Sequence, residues 1–284
     1  MRRWILAARP TTLIASISPV CLGMAFARTQ GSCRWGVFCY TLSLAIALQI
    51  GANFANDYFD YMHGVDTPQR VGPVRVVQSG LIAPKQIRNV LIAWFIALSI
   101  ACCGLLVLGG WSLGLLSCVA LLCAWGYTGG PWPLSHLGLG EACAFPFFGS
   151  IALSATVYLQ TTHYSWSALF LGITPGALAA ALLLVNNLRD QDSDRVSHKR
   201  TLVVRWGARW GKVVFVMFLA LALTPLVYFS AHGLCWVLPC IACLPTGTLA
   251  QQLIQAQTAS QYSSLLPKTT RLFWLYTALL LIAL

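Results

Sequence analysis

Long apolar segments recur along the whole chain, and they constrain the fold more than any other feature of the sequence. Of the 284 residues, 58% are hydrophobic and 9% are charged, whereas roughly 25% are charged in an average soluble protein. A helix needs about 20 apolar residues to cross a bilayer, because its backbone polar groups must find their partners inside the segment. The sequence therefore predicts an all-α, multi-pass membrane protein that is solvated by the lipid bilayer.

Nine segments of roughly 17–25 residues have this composition. They predict nine transmembrane helices in a single domain that covers residues 1–284. The basic residues support this count, because sixteen of the eighteen Lys and Arg residues fall in or beside cytoplasmic segments if the N-terminus is cytoplasmic and the C-terminus is outside. The predicted spans are 11–28, 36–56, 88–109, 111–127, 138–159, 166–187, 212–231, 233–256 and 268–284.

Six of the seven acidic residues fall in two short clusters, and Glu141 alone lies outside them. Each cluster follows a predicted span on the cytoplasmic side, where the helix dipole and the like charges both disfavour carboxylates. A cation is expected to offset this cost, and hard divalent cations prefer carboxylate oxygen. The first cluster is Asp57, Asp60 and Asp66, and the second is Asp190, Asp192 and Asp194.

Helical spacing indicates which polar side chains share a face. Residues at i, i+3, i+4 and i+7 form one stripe on a helix, and Asn53, Asn56, Asp57 and Asp60 have this spacing. In the second cluster, Asn187, Asp190 and Asp194 stand at i, i+3 and i+7. Asp192 lies about 200° away from Asp190 on a continuing helix, so we expect it to contribute less.

Basic residues follow each acidic cluster, in the polar loops 61–87 and 191–211, which we expect to cap the helices on the cytoplasmic side. Acids that bind Mg²⁺ beside arginines that grip phosphate oxygens make a diphosphate site. The chain has no P-loop or GxGxxG motif, so a nucleotide is not the expected carrier. The net charge of +11 fits an anionic leaflet or substrate, and no nucleic-acid partner is expected. In a membrane cavity, the expected diphosphate is a polyprenyl one.

At these residues the chain resembles the UbiA superfamily of intramembrane prenyltransferases, which have nine transmembrane helices and two aspartate-rich motifs. Other stretches resemble the branch that prenylates 1,4-dihydroxy-2-naphthoate in menaquinone synthesis. The chain departs from that pattern at Thr11, where such enzymes often carry Lys, and at His136, where an aromatic residue is usual. The matching stretches are residues 8–13, 70–75, 78–82, 127–131, 137–141 and 199–205.

The resemblance implies Mg²⁺-dependent transfer of a polyprenyl group from polyprenyl diphosphate to dihydroxynaphthoate, with release of diphosphate and CO₂, in the cell inner membrane. Asp57, Asp60, Asp190 and Asp194, with Asn56, are implied as metal ligands, and the four aspartates as catalytic residues. Arg70, Arg75, Lys199 and Arg200 are implied to neutralise the departing diphosphate. Asn53, Tyr127 and Glu141 are candidates to position the aromatic acceptor.

Other functions remain open at this point. A cation transporter also places aspartates in a helix bundle, but it has no need for the arginines beside them. A CDP-alcohol phosphotransferase calls for a DGxxAR-type signature, which the sequence lacks. Within the superfamily, the acceptor is alternatively 4-hydroxybenzoate or 1,4-dihydroxy-6-naphthoate.

Overall fold

The protein is built from α-helices, with the longest connections after α3 and after α4. The computed structural model describes residues 1–66, 72–232 and 237–284, and these ranges contain no β-strand. The prediction of an all-α chain is therefore confirmed for these ranges. In chain order the helices are α1 (Arg2–Ala8), α2 (Ile14–Thr29), α3 (Trp35–Met62), α4 (Pro84–Gly126), α5 (Gly140–Pro146), α6 (Ala152–Thr161), α7 (Trp166–Leu171), α8 (Ile173–Arg189), α9 (Gln191–Val196), α10 (Leu202–His232), α11 (Val237–Gln255) and α12 (Ala259–Ala283).

Six helical segments are long and apolar enough to cross a membrane, and a bent pair adds a seventh if it is one span. The pair joins α1 and its 3₁₀ turn to α2 at an angle of 55°. The predicted count of nine is not confirmed on this basis in the described ranges. The two other predicted spans fall in the second half of α4 and in α12, whose first half carries Lys268 and Arg271. The six segments are Trp35–Met62, Pro84–Gly126, Gly140–Thr161, Trp166–Arg189, Leu202–Ser230 and Val237–Gln255.

The long helix α4 turns back on itself at Gly110. This residue has a non-helical conformation with φ 72° and ψ −170°, which glycine adopts readily because it has no Cβ. The rings of Phe95 and Trp125 lie 5.1 Å apart, whereas about 30 residues of straight helix would separate them by about 45 Å. The two arms of α4 therefore pack side by side, and the turn falls between the predicted spans 88–109 and 111–127.

Helix α8 lies at the centre of the bundle and carries the second acidic cluster at its end. Most of its residues are buried, and it packs against α10, α12 and α5. Small residues let neighbouring backbones approach closely in membrane bundles. Here a Cβ added to Gly149, in the π-helical segment Phe147–Ile151 before α6, would lie 2.7 Å from the Gly176 Cα. This close packing fixes the position of α8 and of the acids that follow it.

The polar loop after α3 folds back over the end of that helix. Val76, Val77 and Ile82 are buried in a cluster with Ala7 of α1 and Phe54 of α3. These apolar side chains attach the loop to the helix end that carries the first acidic cluster. The loop thereby holds Arg75 close to the carboxylates.

The sequence predicts that the cysteines, which lie mainly in apolar segments, act as small buried side chains. This prediction is wrong for most of those that the structure describes, because Cys102 alone among them is buried. Cys240 and Cys243, the CxxC pair, are both exposed on α11. An apolar side chain on the outside of a membrane bundle faces lipid and not water. A cysteine at such a position therefore does not have to be buried inside the protein.

Candidate active site

Arg75 joins the three acids of the first cluster. Its Nη1 lies 2.8 Å from Asp57 Oδ1, its Nη2 lies 3.4 Å from Asp60 Oδ2 and its Nε lies 3.3 Å from Asp66 Oδ1. All three aspartates are buried. A planar guanidinium with several donors suits this task, and it offsets the repulsion among the carboxylates. Asp66, which the sequence places in this cluster without a defined role, thus contacts the same guanidinium as Asp57 and Asp60.

Arg9 is a second cation on this cluster, and the sequence analysis gave it no role. Its Nη2 donates a hydrogen bond to Asp57 Oδ1. Arg9 follows α1 and adopts a left-handed conformation with φ 51°, which is uncommon for a residue that is not glycine. The signal available in the sequence was the stretch 8–13, which contains this arginine and the following proline. Nothing in that stretch indicates a contact with a residue 48 positions away.

The second cluster is divided by the turn between α8 and α9. Asp190 lies at the turn and accepts two hydrogen bonds from the buried Arg189, at 2.7 and 2.6 Å. Asp194 on α9 is buried, whereas Asp192 is exposed. This difference agrees with the helical phase that led us to expect less of Asp192.

Lys199 lies between the two clusters and brings them together. Its Nζ is 3.8 Å from Asp60 Oδ1 and 3.9 Å from Asp194 Oδ1. Burial favours the neutral amine and is the largest single influence on the pKa of Lys199. The surrounding carboxylates, led by Asp60 and Asp194, outweigh it and raise that pKa above its usual value. Lys199 is therefore held in its charged form by acids from both motifs.

The donor atoms suit an oxygen-coordinated divalent cation. In the described residues, no group of three or more His, Cys, Asp or Glu side chains is arranged to hold one metal ion. Carboxylate and amide oxygens are nevertheless the ligands that Mg²⁺ uses, and the buried amide oxygen of Asn56 accepts no hydrogen bond within the described ranges. Arg75 and Lys199 supply the positive charge in this arrangement. The oxygen donors of the site are of the type that Mg²⁺ binds, and the clustered carboxylates favour a bound cation.

An apolar cavity of about 330 Å³ extends from the acidic site into the bundle. Ligand pockets typically have volumes of about 300–1,000 Å³. Arg9, Thr12, Asn53, Asn56 and Asn186 form its polar end. The rest of the wall is mainly apolar and comes from α2, α3, both arms of α4, α5 to α6, and α8. The polar end therefore leads into a space that suits a hydrocarbon chain.

A second cavity of about 390 Å³ lies further along the bundle. It shares Leu113, Leu116, Ile151 and Ala155 with the wall of the first cavity. These four side chains separate the two spaces. The second cavity therefore adjoins the first, at the end away from Asn53 and Asn56.

The three candidates for positioning the acceptor lie near the polar end. Asn53 is buried and donates to the Ala8 carbonyl oxygen at 2.8 Å. The Tyr127 side chain lines the cavity. Glu141 is buried in α5, where its Oε1 accepts a hydrogen bond from Asn187 Nδ2 at 2.7 Å.

Of the basic residues implied by the resemblance, Arg200 forms no ion pair with the acids in the part of the chain that the structure describes. Arg70 lies outside the described residues. Arg200 is exposed, and its carbonyl oxygen accepts a hydrogen bond from Arg205 Nε at 3.0 Å. Within the described ranges, the basic side chains that pair with the aspartates are Arg9, Arg75, Arg189 and Lys199.

His136, which departs from the family pattern, lies beside the site. Its ring centroid is 5.6 Å from that of His63, at the end of α3. Burial and, to a lesser extent, the positive charge of Lys199 lower the pKa of His136. A neutral imidazole is therefore favoured in the loop between α4 and α5.

Comparison with known proteins gives one consistent result. The profile of the UbiA prenyltransferase family matches residues 16–283. The 1,4-dihydroxy-2-naphthoate octaprenyltransferase of Mycobacterium tuberculosis is 39% identical over 223 residues, which cover 78% of this chain and 75% of that protein. The enzyme of the same name from Haemophilus influenzae is 34% identical over 280 residues, covering 94% and 89% of the two chains.

The fold also matches solved structures. A UbiA homolog from Archaeoglobus fulgidus, solved bound to DMAPP and Mg²⁺, superposes with a TM-score of 0.66 over 99% of this chain and 100% of that one. The two sequences are 12% identical. The likeness at this identity concerns the fold, and it agrees with the helical bundle described above.

Proposed function

The chain belongs to the UbiA prenyltransferase family, and on that premise we propose that it transfers a polyprenyl group from polyprenyl diphosphate to 1,4-dihydroxy-2-naphthoate. The reaction releases diphosphate and CO₂ and belongs to menaquinone synthesis. Relatives that are 34–39% identical over most of the chain carry the name 1,4-dihydroxy-2-naphthoate octaprenyltransferase. The structural observation that carries the proposal is that acids from two distant motifs meet around Lys199 beside an apolar cavity.

The acidic and basic side chains have different roles toward the diphosphate: the acids would bind the metal ion, and the basic side chains would contact the diphosphate oxygens. Asn56, Asp57, Asp60, Asp190 and Asp194 would hold Mg²⁺, which would supply positive charge to stabilise the leaving group. Arg75 and Lys199 lie close enough to these acids to donate hydrogen bonds to the oxygens of a diphosphate that is bound beside them. Arg9, Arg70 and Arg200 are further candidates for the same contacts. Charge-assisted hydrogen bonds of this kind strengthen as the C–O bond breaks, because the diphosphate then carries more negative charge than it does in the prenyl donor.

The cavity protects the allylic carbocation. When the C–O bond of the polyprenyl diphosphate breaks, the cation reacts with water unless water is excluded. The cavity wall is largely apolar from Leu44 on α3 to Leu159 on α6. The acceptor ring would therefore approach at the polar end, where Asn53 and Tyr127 line the cavity and, with the buried Glu141 nearby, would orient it.

We also propose a topology of nine crossings. The fold-back at Gly110 gives α4 two arms, and α12 supplies the last crossing. The N-terminus and both acidic clusters would then lie on the cytoplasmic face of the inner membrane, with the loops after α3 and α8 as caps. The distribution of Lys and Arg supports this orientation.

A direct assay tests the proposed function. Purified protein in lipid vesicles is supplied with Mg²⁺, a polyprenyl diphosphate and one of three acceptors: 1,4-dihydroxy-2-naphthoate, 1,4-dihydroxy-6-naphthoate or 4-hydroxybenzoate. Mass spectrometry should detect a prenylated, decarboxylated product with the first acceptor at the highest rate. Transfer to 4-hydroxybenzoate alone would contradict the proposed acceptor, and no transfer to any of the three would contradict the proposed function.

A further inference from the structure

Glu141 is the one acidic residue outside the two clusters, and it is buried inside the bundle at 2% exposure. Ionisable side chains within a membrane are costly and mostly serve a function. No Lys, Arg or His among the described residues forms an ion pair with Glu141, unlike the acids of the two clusters. The diphosphate site therefore does not account for this carboxyl group.

A structural hydrogen bond does not account for it either. Glu141 Oε1 accepts from Asn187 Nδ2 at 2.7 Å, and the amide oxygen of a glutamine would accept that bond equally well. The second oxygen, Oε2, is fully buried and has no hydrogen-bond partner within the described ranges. A buried polar atom without a partner costs about 1–3 kcal/mol. The carboxyl group thus keeps one oxygen ready to accept a proton.

The position of Glu141 connects it to the acceptor end of the cavity. Ala144, one helical turn further along α5, lines the cavity, and so does Leu183, one turn before Asn187 on α8. Tyr127 connects the start of α5, where Glu141 lies, to the wall of the cavity. Its side chain lines the cavity, and its hydroxyl oxygen is 3.0 Å from the place where a Cβ on Gly140 would lie. The carboxyl groups nearest to this hydroxyl in electrostatic terms are Glu141, Asp60 and Asp194.

We propose that Glu141 and Tyr127 form a proton relay for the aromatic acceptor, with Tyr127 in contact with the ring hydroxyl and Glu141 as the base behind it. The inference rests on the proposed function, because it needs a hydroxylated aromatic acceptor. It assigns Tyr127 as a catalytic residue and Glu141 as the residue that acts through it. Asn187 orients the Glu141 carboxylate and ties it to the helix that bears the second acidic cluster.

The proposed relay moves protons in two steps, and the second step reverses the transfers of the first. As the carbon that bears the carboxylate forms its bond to the allylic cation, the neighbouring hydroxyl becomes a ketone. Its proton passes to the Tyr127 oxygen while the Tyr127 proton passes to Glu141 Oε2. The bond from that carbon to the carboxylate then breaks, CO₂ leaves, and the electron pair restores the aromatic ring and an oxyanion. The oxyanion takes a proton from Tyr127, which recovers its own from Glu141, so that both residues return to their starting state.

The decisive variant is Glu141→Gln, because it keeps the acceptor for Asn187 and removes the base. We expect kcat to fall by about 100-fold or more at pH 7, since general base catalysis contributes typically 10²–10⁴-fold. The KM for polyprenyl diphosphate should not change. The loss should shrink as the pH approaches about 10, where phenolic hydroxyls ionise without help. Glu141→Asp should recover part of the activity.

Tyr127→Phe provides an independent measurement if Glu141→Gln fails to fold. It should lower kcat and show the same partial recovery at high pH. Wild-type kcat at pH 7 in either folded variant would overturn the relay, as would a loss in Glu141→Gln that is equal at every pH. The activity of the wild-type protein distinguishes a failure of the relay from a failure of the proposed function. If it does not prenylate dihydroxynaphthoate at all, the proposed function fails, whatever the variants do.

Discussion

Asp57 and Asp192 carry the same carboxyl group in opposite surroundings. Asp57 is buried between Arg9 and Arg75, whereas Asp192 is exposed on α9. We expect Asp57→Ala to lower the prenyl transfer rate by at least about 100-fold, because metal sites lose activity on this scale even when only a supporting residue is removed. Asp192→Ala is the matched control and should keep most of the rate. Equal rates in Asp57→Ala and wild type at saturating Mg²⁺ would contradict the metal assignment.

Lys199 gives a second prediction at this scale, since its ammonium group lies between Asp60 and Asp194. Removing a partly buried charge strengthens the pull of the acids on any other cation. In Lys199→Met we expect Mn²⁺, used as a probe for Mg²⁺, to bind without diphosphate about tenfold more tightly, which corresponds to about 1.4 kcal/mol. Free Mn²⁺ can be measured by electron paramagnetic resonance. Arg209→Met, on an exposed position of α10, is the control, and equal or weaker Mn²⁺ binding in Lys199→Met would refute the prediction.

The sequence predicted which polar residues share a helix face. It did not predict which basic side chains contact those residues in the folded protein. The spacing of Asn53, Asn56, Asp57 and Asp60 depends only on helix geometry, so it could be read directly. Arg9 reaches Asp57 only because α1 packs beside α3, and that packing depends on the whole bundle. The same limit applies to the Asn187–Glu141 hydrogen bond, which joins α8 to α5.

At the scale of elements, a hydrogen-bonded clamp joins the α2–α3 connection to the end of α6. The buried Gln160 side chain accepts from the Arg34 backbone N–H at 2.7 Å and donates to the Arg34 carbonyl oxygen at 3.1 Å. Arg34 Nη1 also donates to the Leu159 carbonyl oxygen at 3.1 Å. This contact gives a structural role to one of the two basic residues that the predicted topology places outside.

We expect Gln160→Ala to destabilise the protein, because it leaves the Arg34 backbone groups without these partners. Each hydrogen bond lost at this partly buried place costs about 0.5–1.5 kcal/mol. The apparent Tm of the full chain in detergent should therefore fall by several degrees. Gln30→Ala, at an exposed position in the same connection, should leave the Tm within error. An unchanged Tm in Gln160→Ala would show that the clamp does not contribute to stability.

The boundaries of the elements show where sequence patterns are reliable. The turn at Gly110 falls between two predicted spans, since a glycine between two apolar segments marks a break. The π-helical segment Phe147–Ile151 was not expected, because it depends on the close approach of Gly149 to α8. Likewise, the bend of 55° between α1 and α2 lies inside a region that apolar content alone describes as one span.

For the whole molecule, hydrophobic content predicted the fold class. The distribution of Lys and Arg predicted the orientation in the membrane, which still has to be measured. Labelling of single cysteines in a cysteine-free background tests it. A membrane-impermeant maleimide should reach Ser79→Cys and Val196→Cys only from the cytoplasmic face, since both positions are exposed in the loops that follow the acid-bearing helices. The native Cys33, retained alone, should react from the other face. Labelling of the two loops from opposite faces would refute a shared active site.

The stoichiometry of the reaction tests at which carbon the acceptor is prenylated. If the acceptor is attacked at the carbon that bears its carboxylate, the ring regains aromaticity only by losing that group. Each transfer should then release one CO₂ and one diphosphate, in step, from dihydroxynaphthoate labelled in the carboxyl carbon. An enzyme of the 4-hydroxybenzoate type attacks beside the hydroxyl-bearing carbon, loses a proton and keeps its carboxylate. Label retained in the prenylated product would therefore exclude attack at the carboxyl-bearing carbon and the relay built on it, while prenyl transfer itself would stand.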